Sequence, residues 1–238
     1  MSDITIYYWP IRFRGNFLKY ILEEAGHKYA TVSTYPEIKK ALDDAKDGYP
    51  VFAVPLLKVG SFRCSQMPAA VLHLAKMFHM EPSDGNDKTL ALMMLLNCND
   101  ILDSITMNGG HYMMWTPEKW KTFQDGRLAK WLGVLDTALG KNPKNAKAEK
   151  IYFFGVKPTY VDFGVLAILD GLVDEFGLVE YVGKFPLLSR FFKEMSARPS
   201  VQKLWSVQKP KDRSKWAPWC GGQIQKSIET SIAEPKKL

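Results

Sequence analysis

Two tyrosines near the start of the chain have side chains that could do chemistry. Tyr7 and Tyr8 end a stretch, residues 4–8, in which apolar and polar positions alternate as they do in a strand. Pro10 follows, and the strand is predicted to end before it because proline has no amide hydrogen for a sheet. A tyrosine hydroxyl at a strand end can donate a hydrogen bond to a thiolate, which lowers the thiol pKa and raises the nucleophilic fraction. The alternative is an aromatic side chain that only packs.

The other reactive side chains indicate neither a metal site nor a redox pair. The chain has three cysteines, Cys64, Cys98 and Cys220, and no pair of them has metal-ligand or C-x-x-C spacing. An odd number of cysteines without such spacing is typical of a protein in a reducing, cytoplasmic setting. The histidines show no ligand spacing either: His27, His73, His79 and His111. Cys64 does not directly follow the first strand, so thiol-based redox catalysis is not expected.

The composition is typical of a soluble globular protein, with 46% apolar and 24% charged residues among 238. No apolar run reaches membrane-spanning length, and we expect no signal peptide. The net charge is +7, and basic residues concentrate in residues 141–150 and 209–215. We interpret these as solvated loops and expect neither a nucleic-acid nor a membrane partner, although a positive field would help an anionic small substrate to arrive.

The elements that must position the tyrosines alternate between strands and helices. An apolar period from Phe13 to Ile21 predicts a helix that ends at Gly26. A strand over residues 28–33, a weak helical pattern over 35–48 and a strand over 54–59 follow. Gly60 and Ser61 suit a two-residue hairpin turn, and a helix opens near Pro68. This order predicts a small α/β domain, residues 1–80.

A polar linker with Pro and Gly, residues 81–87, separates this domain from a second one, residues 88–238, that reads as helical. A long helix is predicted over residues 90–114, and another begins at Pro117. Thr159 and Asp162 have the spacing of a capping box, and the apolar run 165–172 predicts a buried helix. Two short helices are predicted from 185–186 and 198–199.

Five short motifs, taken in this order and spacing, resemble those of the cytosolic glutathione transferases. They are residues 8–12 (Tyr-Trp-Pro-Ile-Arg), 54–56 (Val-Pro-Leu), 66–67 (Gln-Met), 158–163 (Pro-Thr-Tyr-Val-Asp-Phe), and 185–187 with 196–199. The tyrosine and the Thr-Tyr-Val-Asp-Phe segment are most similar to the mu, pi and sigma classes. The resemblance implies a thioredoxin-like α/β domain followed by an all-α domain with a C-terminal tail, in a homodimer.

The resemblance also implies an activity: the protein would bind glutathione, hold its thiol as a thiolate and add it to hydrophobic electrophiles in detoxification, without a metal. Tyr8 matches the catalytic tyrosine. The implied glutathione-binding residues are Tyr8, Arg14, Lys40, Lys46, Val54, a cis Pro55, Gln66, Met67 and, from a neighbouring subunit, Asp103. The implied electrophile pocket contains Trp9, Ile11, Tyr112 and Met113.

One position departs from the pattern, because Met67 stands where the family has a serine that binds the γ-glutamyl carboxylate. Backbone amides at the helix start, or Ser65, could replace it. Val51 or Phe52 would be an apolar plug between subunits. Two other functions stay open: a glutathione-dependent isomerase of the sigma type, and a non-catalytic carrier of apolar ligands.

Overall fold

The computed structural model describes residues 3–44, 49–106, 115–220 and 226. The chain divides into two compact units. The first comprises Met1–Glu81 together with Arg198–Pro218, and the second comprises Pro82–Ala197 together with Trp219–Leu238. The first unit thus contains a segment from the far end of the chain that residues 1–80 alone do not include.

The first unit is built on a four-stranded sheet in the order β2-β1-β3-β4. Its strands are β1 (Ile4–Tyr7), β2 (Ala30–Val32), β3 (Leu56–Val59) and β4 (Phe62–Ser65). Strand β1 pairs in parallel with β2 and antiparallel with β3, and β3 pairs antiparallel with β4. The predicted hairpin turn joins β3 to β4, and Gly60 there has a φ of 59°, which glycine adopts without the penalty that a β-carbon brings.

Three helices follow strands in the first unit: α1 (Arg14–Glu24), α2 (Tyr35–Asp43) and α3 (Met67–Met77). A fourth, α10 (Pro199–Gln208), comes from the C-terminal segment and begins where Arg198-Pro199 predicted it. Helix α1 packs against both α3 and α10, so it is buried on most of its surface.

Polar side chains join α1 to α10. Asn16 and Gln208 exchange two amide hydrogen bonds of 3.0 Å, and both side chains are buried. One helix turn further on, the Trp205 indole donates to the Tyr20 hydroxyl at 2.8 Å. Arg198 and Ser200 donate to the carboxylate of Glu24. Buried polar groups are costly without partners, so these bonds fix the register of α10 along α1.

The second unit is helical in its described part. Its helices are α4 (Gly85–Thr106), α5 (Pro117–Phe123), α6 (Ala129–Lys141), α7 (Tyr160–Leu169), α8 (Val179–Gly183) and α9 (Pro186–Ser196). Every residue of α7 is buried, and it packs against α4 and α9. The capping box at its start is confirmed: Asp162 accepts hydrogen bonds from the amide and the hydroxyl of Thr159 at 2.7 and 2.9 Å.

Two π-helical turns interrupt the helices that the sequence predicts as continuous. Gln124–Leu128 joins α5 to α6, and Asp170–Glu175 extends α7. In the second turn the Trp219 indole lies directly on the backbone of Gly171, where a β-carbon would lie 2.1 Å from Trp219 Cε2. Only glycine fits there, and it lets Trp219 pack edge-to-face on Phe176 at 5.2 Å.

Within the described ranges, no helix has both the length and the apolar character needed to cross a bilayer.

Candidate functional site

The strand register brings three loops to one edge of the sheet. Tyr7, the last residue of β1, pairs with Leu56, the first residue of β3, and Leu56 pairs with Ser65, the last residue of β4. Tyr8, Pro55 and Gln66 are the next residues beyond these three. Neighbouring strands lie about 5 Å apart, so the three positions line up across about 10 Å of the edge.

Tyr8 is held at this edge by two hydrogen bonds, one from its backbone amide and one to its side-chain hydroxyl. Its amide donates to the carbonyl of Val32 at 3.0 Å, which continues the pairing of β1 with β2 by one residue. Its hydroxyl accepts a 3.2 Å hydrogen bond from the amide of Arg14, the first residue of α1. Its ring is buried, whereas Tyr7 is half-buried. A phenol that accepts an amide hydrogen bond becomes a stronger donor itself, because hydrogen bonds in a chain polarise one another.

Gln66 has an unusual backbone conformation just before α3. Its φ of 70° and ψ of 117° are rare for a residue with a β-carbon, and such conformations cluster at ligand sites. The side chain is exposed. The family resemblance implied that Gln66 binds glutathione, but the sequence contains no sign of the conformation, because neither glycine nor asparagine stands there.

The start of α3 can attract an anion. The helix has no side-chain cap and no acidic residue in its first turn, and Pro68 contributes no amide hydrogen. The amides of Met67 and Ala69 are therefore the first-turn donors, at the positive end of the helix dipole. The Met67 side chain is only 1% exposed, so what it offers a ligand is its backbone amide. Ser65 lies half-buried beside it.

The peptide bond between Val54 and Pro55 is cis. Pro55 is buried and Val54 is half-buried, directly before β3. The bond lies between the Tyr8 and Gln66 positions along the sheet edge, as the register above requires.

The cationic candidates differ in their surroundings. Arg14 is half-buried, and its guanidinium lies 4.9 Å from the Phe13 ring. Lys40 is exposed and pairs with Asp44 at 2.8 Å, one helix turn further along, so a carboxylate ligand would compete with Asp44 for it. Lys46 lies outside the described residues.

The expected pocket residues are only partly described. Trp9 is 37% exposed and stacks nearly parallel to Tyr35, with ring centroids 6.4 Å apart. Ile11 is half-buried in the same loop. Tyr112 and Met113 lie outside the described residues. Asp103 belongs to the second unit, where it is exposed on α4 and accepts a 3.3 Å hydrogen bond from Asn99.

Two titratable groups do not fit a catalytic role. Desolvation by burial raises the pKa of the Cys64 thiol to about 11, so it is a neutral thiol at pH 7 and a poor nucleophile. Burial also raises the pKa of Asp162 to about 6, against the opposing effect of hydrogen bonds from Thr159 and Phe153. Asp162 serves the capping box. In the described ranges, no three His, Cys, Asp or Glu side chains form a group that could hold a metal ion.

Two residues at this edge were missed as parts of the site. Gly15 presses on the face of the Tyr8 ring, and Arg12 is fully buried in the loop before α1. The signal for Arg12 was its place in the quoted motif, since a charged residue inside a run of aromatic residues needs partners if it is buried. One partner, the carbonyl of Ala217, is 205 residues away along the chain, beyond the reach of local pattern analysis.

Comparisons with known proteins agree on one family. A family model described as "Glutathione S-transferase, C-terminal domain" matches residues 90–231. A protein of Dictyostelium discoideum named "Putative glutathione S-transferase alpha-5" is 24% identical over 203 residues, which cover 85% of this chain and 95% of that protein. Two solved structures, named "Structure of NaGST-2" and "C- Orthorombic NaGST1", share the fold with a TM-score of 0.70 each. Both are 19% identical and cover 90% of this chain and 100% of their own.

Proposed function

The chain belongs to the glutathione S-transferase family and has its fold, and from that premise we propose that it is a glutathione transferase of the tyrosine type. In this proposal Tyr8 donates a hydrogen bond to the sulfur of bound glutathione and keeps it as a thiolate, which attacks a hydrophobic electrophile. The observation that carries the proposal is the position of Tyr8: its buried ring and its anchored hydroxyl lie at the sheet edge where the Val54–Pro55 bond and the start of α3 also lie.

Glutathione would lie along this edge. Its γ-glutamyl carboxylate would bind at the first-turn amides of α3, with Gln66 bonding the same end of the tripeptide. The backbone of Val54 would pair with the cysteinyl group, and Pro55 would orient that backbone. Arg14 would lie near the γ-glutamyl end, and Lys40 and Lys46 are the cations proposed for the glycyl carboxylate. An amide-rich helix end can hold a carboxylate without the serine hydroxyl that Met67 replaces.

Hydrogen bonding to the charged form is what lowers the thiol pKa here. The Tyr8 hydroxyl, polarised by the Arg14 amide, is a preorganised donor that loses no solvent-reorganisation energy when the thiolate forms. Each pKa unit corresponds to about 1.4 kcal/mol of preference for the thiolate over the thiol.

The second substrate would enter an apolar pocket to which Trp9, Ile11, Tyr112 and Met113 contribute. Trp9 directly follows Tyr8 in the chain, and its partly exposed ring offers an apolar surface there. We further propose a homodimer, in which Asp103 reaches the glutathione amine of the neighbouring subunit, and a role in cytoplasmic detoxification.

The test is turnover of reduced glutathione with a generic aromatic electrophile, measured beside a titration of the bound thiol. Conjugation together with a thiol pKa below that of free glutathione supports the proposal. Glutathione binding with an unshifted thiol pKa and no conjugation would point instead to a carrier.

A further inference from the structure

Arg12 has no chemistry in the proposed reaction, yet it is completely buried in the loop between Tyr8 and α1. Its Nε donates to the carbonyl of Ala217 at 3.1 Å, and its backbone amide donates to the carbonyl of Pro218 at 2.7 Å. Its guanidinium also lies 5.5 Å from the ring of Trp216. Three consecutive residues near the end of the first unit's C-terminal segment are thus attached to one arginine.

The same loop sets the hydrogen bond to the Tyr8 hydroxyl. On one side of the loop, Tyr8 is fixed by the sheet through Val32. On the other side, the Arg14 amide must reach the hydroxyl from the first turn of α1. Arg12 lies two residues before that amide, and the 2.7 Å bond to Pro218 is the described backbone bond that ties this part of the loop to the C-terminal segment.

A second attachment lies two residues after Arg14. Asn16 bonds Gln208 through two buried amide hydrogen bonds, and its backbone amide donates to the Phe13 carbonyl at 2.9 Å. The Arg14 amide therefore lies between two residues that are both held by the segment Arg198–Pro218. A hydrogen bond weakens steeply once its length or angle departs from the optimum. The attachments of Arg12 and Asn16 to the C-terminal segment therefore determine how strongly the Arg14 amide polarises the Tyr8 hydroxyl.

From this arrangement we propose that Arg12 is a positioning residue, which with Ala217, Pro218 and Trp216 holds the Arg14 amide against the Tyr8 hydroxyl and thereby sets the acidity of bound glutathione. The inference rests on the proposed function. Arginine suits the role better than lysine, because its planar guanidinium can donate to a carbonyl and lie over an aromatic ring at once.

The experiment titrates the thiol of glutathione bound to Arg12→Gln, by the ultraviolet absorbance of the thiolate, and measures glutathione affinity by calorimetry. We expect the thiol pKa to rise by about half a unit or more. At pH values below the pKa, this rise lowers the thiolate fraction roughly threefold. We expect the affinity to change less than twofold, because Arg12 does not touch the tripeptide. Arg12→Lys should recover part of the acidity.

The matched control is Arg213→Gln. Arg213 also lies over Trp216, 4.3 Å from its ring, but it is exposed and its described contacts do not include α1. This variant loses the same charge beside the same ring and should titrate like the wild type. An equal rise of the thiol pKa in both variants would overturn the inference, because the loss of a positive charge would then explain the effect without any role for positioning.

A double variant shows whether Arg12 acts through Tyr8. In a Tyr8→Phe background no hydroxyl remains to be polarised, so Arg12→Gln should raise the thiol pKa no further. Additive rises would overturn the inference. If Tyr8→Phe alone leaves the titration unchanged, the tyrosine mechanism fails and the inference with it. If Tyr8→Phe raises the pKa and Arg12→Gln does not, only the inference fails.

If Arg12→Gln does not fold, Trp216→Leu replaces it, since this variant keeps the buried arginine and removes the ring beside it. The same rise in thiol pKa is expected, with circular dichroism confirming the native helix content. A folded Trp216→Leu with the wild-type titration would overturn the inference.

Discussion

Gly15 lies against the face of Tyr8 so closely that no other residue fits. A β-carbon on residue 15 would lie 2.5 Å from Cδ1 of the tyrosine and 2.8 Å from Cγ. The first turn of α1 thus makes two contacts with one side chain, a backbone hydrogen bond to its hydroxyl and a backbone surface for its ring. Ring and helix are positioned together.

Gly15→Ala should therefore be harmful although alanine is the better helix former, by about 1 kcal/mol. We expect a loss of about 1–3 kcal/mol in unfolding free energy, as for overpacked sites, and a fall in turnover because Tyr8 must move. Urea unfolding and steady-state kinetics measure the two effects. Gly126→Ala is the control, because nothing lies within 4 Å of a β-carbon there; a similar loss in both would refute the steric explanation.

Tyr8→Phe removes only the hydroxyl. The pKa of bound glutathione should rise by about one unit or more, at about 1.4 kcal/mol per unit, and turnover below that pKa should fall about tenfold per unit. Affinity should change little, and higher pH should partly restore turnover. Tyr7→Phe is the control, and the expected assignment of roles is wrong if that variant alone loses acidity.

How far the sequence predicts this molecule depends on the range of each interaction. The strand end before Pro10, the turn at Gly60 and the capping box of Thr159 and Asp162 involve neighbours within a few residues, and they are confirmed. The pairing of Asn16 with Gln208 was not predicted, because it joins residues 192 apart that carry no pairing signal in themselves.

Conformational exceptions were equally hard to predict. Gln66 adopts a positive φ without being glycine, because the surrounding fold holds it there. In the π-helical turn Asp170–Glu175, the indole of Trp219 lies on Gly171, which is a tertiary contact. The apolar run 165–172 predicts a helix but does not indicate this contact or the π-helical turn.

Gln66 variants should separate backbone strain from ligand binding. Gln66→Ala should weaken glutathione binding by about 1–3 kcal/mol, because polar groups of the ligand lose a partner. Gln66→Gly should weaken binding similarly and raise the unfolding free energy relative to Gln66→Ala by about 1 kcal/mol, since glycine adopts a φ of 70° readily. Calorimetry and urea unfolding measure both; equal stability of the two variants would argue against strain.

Asp162 should make stability depend on pH. Its pKa is about 6 in the folded protein because of burial, against an ordinary value of 3.8, so the folded state binds the proton more tightly than the unfolded state. The resulting stabilisation is complete below about pH 4 and is lost as pH rises through 6, a change of about 3 kcal/mol. Asp162→Asn cannot titrate. The difference in urea stability between wild type and this variant should shrink over that range, and parallel curves would contradict the expectation.

Phe52 is one of the two residues, with Val51, expected to form the plug between subunits, and it is 91% exposed in the single chain. Phe52→Ser should weaken the proposed dimer and shift sedimentation toward the monomer at micromolar concentration, because an exposed aromatic ring gains most from burial in a partner. Val207→Ser changes another exposed apolar residue and should leave assembly unchanged. A monomeric wild-type protein would rule out both the dimer and the role of Asp103.

The segment Arg198–Pro218 also has a consequence for biosynthesis. Helix α1 emerges from the ribosome early, but the partners of Asn16, Tyr20 and Glu24 are translated 174 to 192 residues later. Until then a face of α1 that is buried in the finished unit stays exposed on the nascent chain. The first unit therefore cannot complete its packing before Pro82–Ala197 of the second unit has been synthesised, an order that favours chaperone binding to the early chain.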